Sequence, residues 1–219
     1  MATKGALSKQ LRSETKLAHR LVESTRLAKA FFQGKLTTAL YAEGLARLYP
    51  VYATMETALS SLPHGHRLKP FDLPLVFRSS ALLADLRFFG VSPEPLRAGA
   101  SARYYERVRH VADEAPALLV AHAYVRYMAD VSGGVIAGRI AQRVLRLPTR
   151  EGLSFLSFPQ VASPAAFRED FRRRLDAFVC DAEERAEILR EANRVFDYNR
   201  DLADELWGDL AAAPTAVRA

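Results

Sequence analysis

His19, Asp130 and the adjacent pair Gly133 and Gly134 are the residues of this chain whose types and settings could do chemistry. His19 borders a stripe of small and apolar residues, Leu11, Thr15, Ala18 and Val22, spaced 4-3-4 along one side of a helix. Glu23 follows His19 by four, so its carboxylate can reach back to one imidazole nitrogen. That contact would fix the tautomer and aim the other nitrogen at a metal. The plainer alternative is a structural histidine. The two glycines interrupt an otherwise helix-forming stretch, residues 123–145. A glycine inside a helix costs about 1 kcal/mol relative to alanine, so a pair asks for a reason. One reason is a flat ligand lying against bare backbone, with the helix bending there. The other is a tight crossing with a neighbouring segment. Asp130 precedes the pair by three and four residues and shares its helical side.

These residues need a scaffold, and composition bounds it. The chain has 219 residues, 49% of them hydrophobic and 10% aromatic, which predicts one folded domain with a sizeable core. No window approaches the ~18 continuous apolar residues of a membrane span. The N-terminal MATKGALSKQLRSE lacks an apolar signal core, so a cytoplasmic, soluble protein with no membrane partner is expected. Cys180 is the only cysteine, which excludes an internal disulfide, a thiolate cluster and heme attachment through Cys-x-x-Cys-His. The net charge of +6 suits anionic partners. Its basic residues are spread over several helices without a recognition motif, which argues against nucleic acid. A diiron carboxylate centre wants Glu-x-x-His on facing helices, and no such run occurs.

Almost every segment reads as helix, and no repeat or long linker divides the chain. The pattern predicts helices over residues 8–25, 26–33, 38–60, 79–89, 97–112, 116–146, 164–179 and 182–207. Pro50 should kink or divide the third of these near Leu48. Ser163 and Pro164 read as an N-cap and a first-turn proline, and Asp181 with Glu184 as a capping box. The expected fold class is all-α, a single-domain multi-helix bundle. Its one domain takes in residues 1–219, with a core over about 7–207 and a short flexible tail over 208–219.

Three stretches, ETKLAHRLVE, LVAHAYVRY and RYMADVSGG, resemble the heme oxygenases. The similarity continues through KLTTALYAEGLARLYPVY and EGLSFLSFPQVASPAAFREDFRRRL, and weakly into NRVFDYNRDLADEL, covering roughly residues 7–207. The resemblance implies a soluble, bacterial-type, biliverdin-producing enzyme of the heme oxygenase fold. Heme b would be both substrate and prosthetic group. Its oxidative cleavage by O2 would yield biliverdin, carbon monoxide and ferrous iron. Electrons would come from an external donor, a ferredoxin or an NADPH-dependent flavoprotein reductase. A biliverdin acceptor would be a further partner, and a monomer is expected.

On this reading His19 is the iron ligand, with His122, His110 or the His64/His66 loop as substitutes. The cations for the heme carboxylates are Arg12 and Lys16, on the helical side of His19, with Arg168 and Arg172 at basic positions of the family. Tyr124, Phe155, Phe158, Phe196 and Asn199 match pocket positions of the family. Asp130 is the expected proton donor, acting through ordered water. Tyr49, Tyr52 and Arg126 are candidates for a distal polar network. Ala129 stands where the family commonly has glycine, which leaves the ring-opening position open. The alternative function is a non-catalytic heme carrier or sensor on the same fold, for which a distal proton network would have no use.

Overall fold

The first predicted helix is two helices. In the computed structural model, which describes residues 5–93 and 98–212, α1 (Leu7–Glu14) and α2 (Lys16–Glu23) are separated at Thr15. The Thr15 hydroxyl donates to the Leu11 carbonyl at 2.6 Å, and the residue leaves helical geometry at φ −95° and ψ 1°. A β-branched hydroxyl side chain that bonds back to the preceding turn competes with the helical ladder. The break lets α2 leave the line of α1, and no residue of α2 is buried.

The remaining described helices are α3 (Arg26–Phe32), α4 (Thr38–Ser60), α5 (Ser79–Phe88), α6 (Gly99–Glu114), α7 (Leu119–Val144), α8 (Pro164–Ala177) and α9 (Ala182–Ala212). No strand occurs among the described residues, and the chain is all-α. Several ends follow from the predicted caps. Ser163 accepts from the Ala166 N–H at 3.2 Å, and Asp181 accepts from the Glu184 N–H at 2.9 Å. Gly34 and Gly90 follow α3 and α5 at φ +75° and +66°, where side chains are strained.

Several elements differ from expectation; the helix expected over 116–146 opens with a 3-10 turn at Pro116–Leu118 and is α-helical over Leu119–Val144. Helix α9 continues to Ala212, so residues 208–212 extend it, and the rest of the expected tail, 213–219, lies outside the described residues. Helix α6 begins at Gly99; the predicted start at residue 97 also lies outside the described residues. Helix α4 runs unbroken through Pro50. Proline removes the N–H that would reach the Ala46 carbonyl and loosens the bond beside it. Beside it, Ser101 on α6 donates its hydroxyl to the Arg47 carbonyl at 2.6 Å, tying this turn of α4 to α6.

Helix α4 packs on α5 and α6, while α9 crosses α1, α2, α3, α6 and α7. Leu11, Val51, Tyr52, Met55, Tyr104, Val111, Val120, Tyr127, Phe171 and Ile188 form part of one continuous buried cluster. Each such large apolar side chain contributes roughly 1.5–3 kcal/mol by leaving water. Buried among them is an ionic knot. Glu191 receives Arg107 at 2.7 and 2.9 Å and Arg194 at 3.0 Å, with the His122 Nε2 at 3.1 Å. Burial pushes the Glu191 carboxyl up, but His122 and Arg107 outweigh it and hold it down at about 2.

Candidate functional site

Between α2, α4, α7 and α9 lies a cavity of about 1200 Å³. Of the site residues expected from the sequence, Asp130, Gly134, Tyr49, Tyr52 and Phe158 do not line it; Phe158, expected as a pocket residue, packs instead against Gly134. His19, Glu23, Arg12, Lys16, Tyr124, Arg126, Gly133, Arg168, Arg172, Phe196 and Asn199 come together from five helices. Leu36, Leu40, Leu45 and Leu48 add an apolar wall from α4 and the turn before it.

His19 is half-exposed. Its Nδ1 lies 3.4 Å from the Glu23 carboxylate, and its ring meets Phe196 edge-on, with centroids 5.6 Å apart. Nε2 is thereby left for another partner. The substitutes lie elsewhere. His122 is fully buried against Glu191 and Tyr104, while His110 and His64 are exposed away from the cavity, and the His66 Nδ1 accepts from the Leu68 N–H. Cys180, whose thiol burial pushes up, is also outside it. Arg12, Lys16, Arg168 and Arg172 form no ion pair among the described residues, so their charges are free for an anionic ligand.

On α7 the two glycines have different surroundings. A Cβ at Gly133 would find nothing within 4 Å, whereas one at Gly134 would meet the Phe158 ring at 2.8 Å and the Leu156 carbonyl at 3.1 Å. Gly133 therefore presents bare backbone to the cavity, and Gly134 is a packing contact. Ala129 lines the cavity one helical turn before Gly133, so its methyl is the side chain that narrows this face.

Asp130 sits beside that face. The Tyr52 hydroxyl donates to its carboxylate, and Arg126 Nη2 is 3.6 Å away. Arg126 Nε donates to the Tyr52 oxygen at 2.7 Å and its Nη1 to the Asn199 carbonyl oxygen at 2.5 Å. Burial pushes the Asp130 carboxyl up, against the pull of Arg126, the Tyr52 hydrogen bond and Arg78. Burial also pushes the Tyr52 hydroxyl well up, so it donates rather than ionises. The network thus reaches the cavity through Arg126 and Asn199. Tyr49 packs against the core and takes no hydrogen bond in it among the described residues.

Glu56, Asp85 and Arg78 were not singled out by the sequence, yet Asp85 and Arg78 bond the segment behind Gly134 and Glu56 anchors the turn that carries Arg78. Buried Asp85 accepts the N–H groups of Ser154 and Phe155 at 2.8 and 2.7 Å, and Glu56 those of Arg78 and Ser79. The available signal was a carboxylate inside an apolar run, as in ALLADLRFF.

The geometry suits a flat, anionic, metal-bearing ligand: one imidazole with a free nitrogen, an apolar slot, bare backbone and cations without partners. Fold and site together define a helical heme-binding protein. The Heme oxygenase family model matches residues 5–205, and the chain belongs to the heme oxygenase family. It is 35% identical over 205 residues to the heme oxygenase of Takifugu rubripes, covering 91% of this chain and 74% of that one. The structure of heme oxygenase from Leptospira interrogans superposes with a TM-score of 0.86 at 35% identity, over 92% of this chain and all (100%) of that one. Heme oxygenase-1 from the cyanobacterium Synechocystis, solved in complex with heme, gives a TM-score of 0.88 at 33% identity, over 94% and 95% of the two chains.

Proposed function

We propose that this protein is a heme oxygenase that cleaves heme to biliverdin, carbon monoxide and ferrous iron. The observation that carries the reading is the joint presence in one cavity of His19 with a free Nε2, bare backbone at Gly133 and four cations without carboxylate partners. Heme bound there supplies an iron that activates O2 and a porphyrin edge for that oxygen to open, so it is cofactor and substrate at once.

The protein's own residues do the rest. His19 would hold the iron through Nε2 while Glu23 and Phe196 fix the ring's orientation. Arg12, Lys16, Arg168 and Arg172 would bind the two carboxylates and so set which ring edge faces Gly133. Gly133 and Ala129 would shape the space above that face. Asp130, held in place by the Tyr52 hydroxyl, would supply a proton toward the cavity on the polar side formed by Arg126 and Asn199. Burial favours the protonated carboxyl, which suits delivery without a strong acid in direct contact.

The electron donor is expected to be an acidic ferredoxin or a flavoprotein reductase. Arg139, Arg143 and Arg146 line a surface hollow of about 460 Å³ and form no ion pairs among the described residues, which supports an acidic partner. The need for reducing equivalents supports a cytoplasmic site of action, with the protein a monomer that hands biliverdin to an acceptor. No helix among the described residues is long and apolar enough to cross a membrane.

Titration of the purified protein with hemin tests the site. A saturable Soret band, with an axial-histidine signal in electron paramagnetic resonance that is lost in His19→Ala, is expected. Persistence of that signal in the variant would move the ligand elsewhere.

A further inference from the structure

We propose that Arg78 is a positioning residue for the reaction: by gripping the backbone of residues 154–157 it seats Leu156 and Phe158 on Gly134, and so sets how far α7 leans into the cavity. Arg78 is buried, with 6% exposure, yet no carboxylate pairs with its guanidinium among the described residues. Its side-chain donors go to backbone carbonyls. Nε donates to Val76 at 3.1 Å and Phe77 at 2.7 Å, and Nη1 to Ser154 at 3.3 Å and Ser157 at 2.6 Å. Its Cζ also lies 4.0 Å from the centre of the Phe158 ring. One rigid fork therefore ties the loop before α5 to the strap before α8, and holds the strap's aromatic from its flat face.

The strap's other polar side is held by Asp85, which takes the N–H groups of Ser154 and Phe155. A buried anion and a buried cation thus fix the N–H and C=O groups of a five-residue segment, 154–158. That segment rests on α7 where α7 has no side chains. A Cβ at Gly134 would meet Phe158 at 2.8 Å and the Leu156 carbonyl at 3.1 Å, and a Cβ at Gly138 would meet the Leu156 Cβ at 3.5 Å. The tight contact is at Gly134; at Gly138, one helical turn on, Leu156 is in ordinary contact and the closest neighbour is the Arg150 guanidinium at 2.8 Å. The neighbouring face of the same turns carries Ala129 and Gly133, which line the cavity. Close-packed contacts transmit small displacements, so a loosened strap moves that face.

The inference rests on the heme oxygenase reading for its consequence but not for its geometry, and the test separates the two. Arg78→Lys keeps the charge and loses the fork; Phe158→Leu keeps an apolar side chain and loses the flat platform. Hydrogen–deuterium exchange is read on the ligand-free full-length variants, and bilin isomers are then separated after turnover with hemin. Both variants should show about tenfold faster exchange in residues 129–138 than wild type, with exchange in α6 unchanged. Both should also produce an isomer ratio different from wild type. Wild-type exchange in residues 129–138 in the two folded variants overturns the proposal, as does faster exchange with an unaltered isomer ratio. Absence of any bilin from the wild-type protein would count against the enzyme reading and leave the exchange comparison to decide the positioning role.

Discussion

Gly133 and Gly134 are chain neighbours that face different things: a methyl on Gly133 would enter open cavity, and one on Gly134 would strike the Phe158 ring at 2.8 Å. Of the two alternative reasons for a glycine pair, the tight crossing holds for Gly134, while Gly133 leaves bare backbone open to the cavity.

Alanine substitution separates them. Gly133→Ala should leave the ligand-free protein as stable as wild type or about 0.5–1 kcal/mol more so, because alanine is the better helix former. Its hemin affinity should fall. Gly134→Ala should destabilise by about 1–3 kcal/mol through overpacking against Phe158. Denaturant unfolding beside hemin titration reads both, and equal effects of the two would contradict the division.

Asp130→Asn should bind hemin as wild type does, while bilin formation slows by roughly 10²-fold or more. Tyr52→Phe removes only the donor to that carboxylate and should fall between the two. Single-turnover spectroscopy measures the rates, and unchanged bilin yield from Asp130→Asn would remove Asp130 from the mechanism.

Reversing the charge at Arg172 should weaken hemin binding by about tenfold, corresponding to ~1.4 kcal/mol, without lowering the unfolding midpoint. No ion pair among the described residues is lost with it, so a large fall in stability would show that Arg172 is structural.

The lining of the cavity was partly legible in the sequence because the helical period of α2 brings Lys16, His19 and Glu23 to one side; Arg12 joins them across the break at Thr15. Matching Tyr124, Arg168, Phe196 and Asn199 to a family pattern did what period could not, since they meet only through tertiary packing. The break at Thr15 was not legible: a threonine in an amphipathic stripe signals neither cap nor turn until its hydroxyl is seen on the Leu11 carbonyl. Pro50 does not divide its helix, and the Ser101 hydroxyl on the neighbouring Arg47 carbonyl comes from half a hundred residues away, where sequence gives no sign of it. Arg78 and Asp85 were invisible as site residues because they act on backbone groups of a distant strap.

Ala129→Gly should alter the ratio of bilin isomers, since it removes the one methyl on the cavity side of α7 a turn before Gly133. Chromatography of the products checks this; an identical ratio would show that the methyl does not steer ring opening.

The Glu191 knot gives a pH dependence with a definite sign. Its folded-state value, about 2, lies below the ordinary 4.5, so its contribution is complete above pH ~4.5 and is lost as pH falls through about 2. Glu191→Ala should cost about 3–5 kcal/mol near neutral pH, by leaving Arg107 and His122 without their partner. The slope of stability between about pH 4.5 and 2 should flatten in the variant. Parallel pH-dependent unfolding curves for the two proteins would contradict the assignment.

The most direct measurement mixes the full-length protein with hemin and a reductant in air and follows the visible spectrum. Loss of the Soret band with growth of biliverdin absorption, and release of carbon monoxide, is the predicted result. A Soret band that persists through the reaction, with no bilin formed, would show a protein that holds heme and does not open it.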